Sequence, residues 1–182
     1  MRADAKKNHD HILDVARELL ATGGADASLR DVARKAGVGL GTMYRHFPTR
    51  ETLLEALLRS SFDRLSASAV ELERTGPGNT ALLSWLREVI VLARHYGGAI
   101  RSMVAALEDE SSALHASCVG VKAAGTRLLA RAQSEGTVRP DLDGADLFAI
   151  VGALAWINDQ PALSQRSDHL FAIITDAVLT KP

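Results

Sequence analysis

One short segment, residues 41–50, contains the side chains best suited to recognise another molecule. An arginine such as Arg45 can donate two hydrogen bonds to O6 and N7 of a guanine, and the hydroxyls of Thr42 and Tyr44 can bind phosphate oxygens. Gly41 carries no side chain, so the backbone there can come close to a ligand. Arg50 combines its charge with the amide donors of a helix start, which suits a phosphate. These residues predict contacts to nucleic acid if they share one exposed face.

The helical period decides which of these side chains lie together. At 100° per residue the apolar positions cluster within about 60° and are predicted to face the core; they are Leu40, Met43 and Phe47. The polar face opposite holds Gly41, Thr42 and Arg45, with Tyr44 and His46 at its flanks. The segment is therefore predicted to be a short helix that exposes a recognition surface.

The residues around this helix predict a helix-turn-helix. Ser28 and Asp31 have the spacing of a capping box that begins a short helix. Gly37 can adopt a left-handed backbone in the turn, and Val38 can fill the angle between the two helices. Pro48 disfavours helical geometry in the residue before it, and Thr49 can cap the next helix. The second helix of such a motif fits the major groove of DNA.

Charge supports the same interpretation. The chain has a net charge of -1, but residues 28–50 contain five basic residues and one acidic residue. A local excess of positive charge is what phosphate contacts require. Ser28 and Arg30, at the start of the first helix of the motif, complete the predicted DNA contacts.

Residues 28–54 resemble the N-terminal DNA-binding domain of TetR-type regulators. The resemblance fixes the turn, the Tyr-x-His-Phe ending and the following capped helix together, and it extends over about 50 residues with the first helix. It implies that Thr42 and Tyr44 contact phosphates, and that Arg45 and Gly41 lie among the base-facing positions. It also implies that Arg50 takes the place of a basic residue, often Lys, that binds the DNA backbone.

Apolar residues recur at helical spacing along the whole chain, so the predicted fold is all-α with about nine helices. The predicted domains are a helix-turn-helix domain over residues 1–50 (motif about 29–48) and an effector-binding and dimerisation domain over 51–182. The first helix is expected over about residues 10–22 and the last over about 168–179. Asn79 and Asp143 are predicted helix caps, and Gly97-Gly98 is a predicted break.

Beyond about residue 70 the resemblance to the family is one of layout only. The layout implies a homodimer that pairs through the last two helices and a C-terminal pocket for a small-molecule effector of unknown identity. The candidate dimer residues are Leu147, Val151, Gly152, Leu154, Phe171, Ile174 and Val178. The candidate pocket residues are Trp85, Met103, Cys118, Phe148 and Trp156. The implied function is a repressor that leaves a palindromic, double-stranded DNA operator when the effector binds.

The composition of the chain bears on its compartment, on membrane helices and on metal or cofactor binding. The single cysteine, Cys118, cannot form a disulfide within the chain, which fits a cytoplasmic protein. The longest apolar run, residues 147–157, is shorter than the roughly 20 residues of a membrane helix. No cofactor and no metal site are predicted, and His9 and His11 are expected to be solvated, since they lie about 200° apart on a helix.

Two other functions fit the sequence less well. An enzyme using the C-terminal pocket is disfavoured, because the sequence lacks the motifs of hydrolases, zinc proteases and phosphate-binding loops. The glycines at 37–41 follow a helix, whereas a nucleotide-binding glycine loop follows a strand. A helical adaptor that binds another protein through residues 147–179 would leave the exposed polar face around Arg45 without a role.

Overall fold

The structure is a computed structural model that describes residues 2–23, 28–160 and 162–179. Within these ranges the chain forms nine α-helices and no β-strand, so the all-α prediction is confirmed. The helices are α1 (Arg2–Gly23), α2 (Leu29–Ala36), α3 (Leu40–His46), α4 (Arg50–Leu72), α5 (Gly78–Ser102), α6 (Val104–Glu108), α7 (Ala113–Ser134), α8 (Gly144–Asp159) and α9 (Ser167–Val178). A 3₁₀ turn at Ser164–Arg166 precedes α9.

The helix-turn-helix is built by the local signals in the sequence. Ser28 and Asp31 form the predicted capping box: Ser28 Oγ accepts from the Asp31 backbone N–H, and Asp31 accepts from Ser28 N–H. Gly37 has φ +67° and ends α2 in the left-handed conformation. Thr49 and Thr52 form a second capping box that begins α4. These contacts satisfy backbone donors and acceptors that the ends of helices otherwise leave unpaired.

A buried core holds α3 in place from behind. Met43 and Phe47 are 0% and 2% exposed, as predicted, and Val38 packs against the same core from the turn. Helix α1 contributes Ile12 and Ala16, which are fully buried. Because the core fixes one side of α3, the opposite side has a defined orientation relative to the rest of the domain.

His9 of α1 is half-buried and packs within this domain, so the expectation that it is solvated is wrong, whereas His11 is exposed as expected. The ring of His9 lies 4.8 Å from that of Phe47 and 5.8 Å from that of His46. His11 Nε2 donates to the carbonyl oxygen of Ala36 (3.1 Å), near the end of α2. The two side chains point to different sides of α1 and therefore have different partners. His9 contacts His46 and Phe47 at the end of α3, and His11 contacts the end of α2.

Helix α4 connects the helix-turn-helix to the C-terminal helices. It packs against α1 on one side and against α5 and α7 on the other. The indole N–H of the fully buried Trp85 in α5 donates to the Leu65 carbonyl oxygen of α4 (2.9 Å). Gly125 of α7 lies against the same indole, where a Cβ would come within 2.7 Å of the ring. The tight contact of α4, α5 and α7 thus makes α4 part of one continuous core that joins the helix-turn-helix to the C-terminal helices.

Several predicted helix ends differ from the structure. Helix α1 begins at Arg2, eight residues before the predicted start. Helix α5 begins at Gly78 and continues through Gly97-Gly98 to Ser102, so neither the cap at Asn79 nor the break is correct. A helical glycine costs about 1 kcal/mol but keeps its N–H donor, so two glycines weaken a helix without ending it. The cap at Asp143 is confirmed.

Among the described residues, no helix is both long enough and apolar enough to cross a bilayer.

Candidate nucleic-acid interface

The outward face of α3 is exposed and polar. Gly41 and Arg45 are exposed, Tyr44 is 44% exposed, and Thr42 is half-buried at the edge of this face. A Cβ added to Gly41 would meet no atom within 4 Å. The backbone of α3 is therefore uncovered on the side where the sequence predicts contact with bases.

Arg45 has donors available on this face. Its Nε donates to the Gly41 carbonyl oxygen, one helical turn earlier, at 3.1 Å. Within the described part of the chain its guanidinium has no ion-pair partner, so the four N–H groups on the two Nη atoms remain for another acceptor. Those are the groups that form a bidentate contact with a guanine.

Leu40 was predicted to be buried, and this prediction is wrong. Its side chain is 44% exposed, whereas Met43 and Phe47 are buried beneath the same helix. A helical wheel gives the direction of a side chain but not its position along the axis. Leu40 is the first residue of α3, which the underlying core does not cover, so an apolar side chain adds to the exposed surface at that end.

His46 is tied to the domain's interior more than the sequence suggests. It is half-buried and its ring approaches that of His9 from α1. Burial lowers the pKa of His9, and the charge of His46 lowers it further, while Asp10 has the opposite effect. Burial and the neighbouring His46 therefore favour the neutral state of His9. His46 lies at the flank of the recognition face and also packs the end of α3 against α1.

The remaining predicted DNA contacts lie at helix starts near α3. Ser28 is exposed, although its hydroxyl donates to Asp31 Oδ2 at 2.6 Å as part of the cap. Arg30 is exposed in the first turn of α2, and Arg50 is half-buried in the first turn of α4. A backbone N–H at the start of α4 and the Thr49 hydroxyl lower the pKa of the Glu51 carboxylate, so this helix start already favours a negative charge.

The predicted effector residues lie partly in the core and partly on the surface. Trp85 is 0% exposed and Met103 8% exposed, so both belong to the core. Phe148 packs edge-on against Trp85, with ring centroids 6.2 Å apart. Cys118 is half-buried beside the core, and Trp156 is 61% exposed on the surface of α8. The sequence predicts a cavity wall from these bulky apolar residues, but Trp85, Met103 and Phe148 pack against the core instead.

A cavity of about 600 Å³ lies instead between α1, α4 and α5. Its lining includes Arg17 from α1, Arg64 from α4, and Arg87, His95 and Tyr96 from α5. Sequence reasoning missed these residues because they come from three helices far apart in the chain. The sequence offers only a weak signal for them, because polar and aromatic residues occur at many positions of amphipathic helices.

Most of the predicted dimer residues pack inside their own chain. Four of them are between 1% and 8% exposed and have no surface to offer a partner: Leu147, Val151, Leu154 and Val178. Phe171 and Ile174 are half-buried, and the Arg87 guanidinium lies over the Phe171 ring at 5.5 Å. Gly152 is exposed with nothing within 4 Å of an added Cβ. Helix α8 has apolar residues on all sides, so the sequence alone did not distinguish its buried face from its exposed face.

Two family models match the chain, one in each part. The model described as "Bacterial regulatory proteins, tetR family" matches residues 12–57. The model described as "Transcriptional regulator SbtR-like, C-terminal domain" matches residues 77–178, which is more than half of the chain. The first match contains α2, the turn and α3, and the second contains α5 to α9.

Proteins of known structure and curated relatives agree with these models. The TetR transcriptional regulator SCO0520 of Streptomyces coelicolor is 33% identical, with a TM-score of 0.76 over 96% of this chain and 99% of that one. LfrR of Mycobacterium smegmatis, solved in complex with proflavine, is 27% identical, with a TM-score of 0.65 over 97% and 98%. The HTH-type transcriptional repressor KstR2 of Rhodococcus jostii is 28% identical over 164 residues, 80% of this chain and 75% of that protein. The chain belongs to the TetR family and is a DNA-binding transcriptional regulator.

Proposed function

We propose that this regulator is a repressor that binds a palindromic operator as a homodimer and leaves it when a small molecule binds. The observation that carries the proposal is the uncovered polar face of α3, where Arg45 and the open backbone at Gly41 lie side by side. The similarity to KstR2, whose name describes a repressor, supports the direction of control.

In the proposed complex, α3 lies in the major groove. A helix with its side chains is about 10–12 Å across, which fits a groove about 12 Å wide, and the seven residues of α3 extend about 10 Å along it. Arg45 contacts a guanine edge, the hydroxyls of Thr42 and Tyr44 bind phosphates, and Gly41 lets the backbone approach the bases. Leu40, exposed at the same end, is suited to contact a thymine methyl group.

Phosphate contacts on either side of the groove orient the helix. Arg50 and the first backbone amides of α4 form one such site. Arg30 and the start of α2 form a second. Contacts of this kind provide affinity without sequence information, whereas Arg45 provides the discrimination.

The dimer forms through the outer faces of α8 and α9. On α8 this face consists of small residues, Ala149, Gly152 and Ala153, next to Trp156, which is 61% exposed. On α9 it includes Ile173, which is 50% exposed. Small residues let two helices approach closely, and the large side chains beside them supply apolar area to bury. A two-fold pair then presents two α3 helices to half-sites about one helical turn apart, or slightly more.

The cavity between α1, α4 and α5 is the proposed effector site. Its volume of about 600 Å³ is in the range of small-molecule sites. A related fold holds a small molecule in the LfrR complex with proflavine. The effector releases DNA if it binds the conformation with low DNA affinity more tightly than the conformation that binds the operator. A difference of roughly 1 to 3 kcal/mol between these two binding free energies weakens DNA binding about 5- to 150-fold.

The test is a selection of genomic DNA fragments on the purified protein, followed by affinity measurements on the enriched sequence. We expect an inverted repeat bound at least a thousandfold more tightly than random DNA, as is typical of specific DNA-binding proteins. The Arg45→Ala variant should lose most of this ratio while keeping its binding to random DNA. Enrichment of no sequence at low ionic strength would refute the proposal.

A further inference from the structure

Three arginines from three different helices meet at the cavity between α1, α4 and α5. Arg17 comes from the helix-turn-helix domain, Arg64 from the connecting helix α4, and Arg87 from α5. Among the described residues that line the cavity, Glu88 is the one carboxylate. The lining therefore carries an excess of positive charge in a chain whose net charge is -1.

Two of these cations have no acidic partner in the described part of the chain. Arg64 forms no ion pair there, and Arg87 lies over the Phe171 ring instead of beside a carboxylate. Arg17 is the exception, since its Nη1 donates to Asp14 Oδ1 at 2.6 Å. An arginine that is not neutralised within the chain, beside an open cavity, is suited to bind an anion from outside.

The rest of the lining consists of three aliphatic side chains and four polar residues, Ser61, Ser68, His95 and Tyr96. Leu65, Leu92 and Val91 contribute side chains, and Val91 is 49% exposed although it is aliphatic. Tyr96 is buried, and burial raises the pKa of its hydroxyl despite the nearby charge of Arg17, so it remains a neutral donor. This combination of unpaired cations and an apolar wall resembles a site for an amphipathic molecule.

We propose that the effector is an organic anion with an apolar body, and that Arg17 transmits its binding to the DNA-binding domain. The inference rests on the proposed function, because it specifies the ligand class and the coupling of the same effector site. The acidic group lies among Arg17, Arg64 and Arg87, and the body lies against Leu65, Val91 and Leu92.

Arg17 is the coupling residue because it holds α1 to α4. Its Nη2 donates to Ser60 Oγ of α4 at 3.3 Å, while Nη1 is engaged by Asp14 of its own helix. An anion in the cavity competes with both acceptors for the same guanidinium. Drawing Arg17 towards the ligand changes how α1 sits on α4, and α1 packs against α2 of the helix-turn-helix.

The ligand class is tested with two dyes that differ in one group. The probe is 8-anilinonaphthalene-1-sulfonate, and its uncharged counterpart is N-phenyl-1-naphthylamine. We expect saturable binding of the sulfonate by the full-length protein, about tenfold tighter than that of the neutral dye, the size expected for two or three partly exposed charge contacts. Equal affinities for the two dyes, or no saturable binding of the sulfonate, would overturn the proposal.

Charge variants locate the site. The double variant Arg64→Gln/Arg87→Gln should weaken binding of the sulfonate about five- to tenfold and leave binding of the neutral dye unchanged. Arg64→Lys, which retains the charge, should keep most of the affinity. Arg74→Gln is the matched control, since Arg74 is an exposed arginine of the α4–α5 turn that does not line the cavity. Equal effects of the control and the double variant would place the sulfonate elsewhere and refute the assignment.

The coupling is measured on a DNA fragment selected by the wild-type protein. The sulfonate should weaken wild-type binding to this fragment at least fivefold. Arg17→Gln loses one of the three arginines and should bind the sulfonate more weakly, but at a sulfonate concentration that saturates the variant the effect on DNA should be less than twofold. A full effect in Arg17→Gln would contradict the coupling role. If the wild type selects no DNA, the repressor proposal fails, whereas the dye titrations still decide the ligand class.

Discussion

Replacement of Gly41 by leucine separates DNA binding from folding. A Cβ at this position meets no atom within 4 Å, so the leucine side chain extends into solvent without a steric clash in the folded subunit. Leucine is a better helix former than glycine by about 0.5 to 1 kcal/mol. For a chain of this length the melting temperature should rise by about 1 to 4 °C.

The same leucine should weaken operator binding strongly. A helix with its side chains is about 10–12 Å wide and the major groove about 12 Å, so there is no clearance for an added isobutyl group between α3 and the bases. Moving α3 outward costs at least one base contact, which is about 2 kcal/mol or a 30-fold loss of affinity.

Thermal unfolding followed by circular dichroism measures the first effect, and fluorescence anisotropy with a labelled operator measures the second. Ala130→Leu is the matched control, because it adds similar apolar bulk at an exposed position of α7. It should leave operator affinity unchanged. An operator affinity of Gly41→Leu equal to that of the wild type would show that this face of α3 does not enter the groove, and a lowered melting temperature would show that the position is not open.

Three further predictions concern other parts of the molecule. Arg50→Ala should weaken binding to operator and random DNA alike and reduce the slope of log affinity against log salt by about one unit; an unchanged slope in salt titrations would exclude a phosphate contact. Gly152→Arg should fold normally, since the site is open in the subunit, but yield monomers with weak operator binding; a dimer in sedimentation equilibrium would refute the α8 interface. His9 has a folded-state pKa below its ordinary 6.5, so the unfolded chain takes up the proton first and stability falls as the pH drops through and below 6.5. His9→Phe should lose less stability in urea between pH 7.5 and 5.5 than the wild type, and equal losses would remove His9 as a contributor.

Local signals in the sequence predicted the helix-turn-helix almost completely. Capping boxes depend on two residues three positions apart, and the left-handed turn depends on Gly37 alone, so both can be identified without the rest of the fold. Leu40 is the exception within this motif. Its exposure depends on where the underlying core ends along the axis of α3, which is a property of three helices together.

The C-terminal half was less predictable, for a related reason. Helix α8 has apolar residues on all sides, so periodicity could not separate Leu147 and Leu154, which pack inside, from Gly152 and Trp156, which lie outside. The cavity is lined by residues as far apart in the chain as Arg17 and Tyr96. No residue spacing in the sequence predicts that such distant residues come together. The aromatic residues predicted to line a pocket, such as Trp85, fill the core.

Atomic substitution in the operator tests most directly whether Arg45 reads a guanine. Each guanine of the selected operator is replaced in turn by 7-deazaguanine, which lacks the N7 acceptor, and affinities are measured for the wild type and Arg45→Ala. We expect one symmetry-related position in each half-site where the wild type loses about fivefold or more in affinity, while Arg45→Ala loses nothing further. Equal losses in the two proteins at every guanine would contradict it.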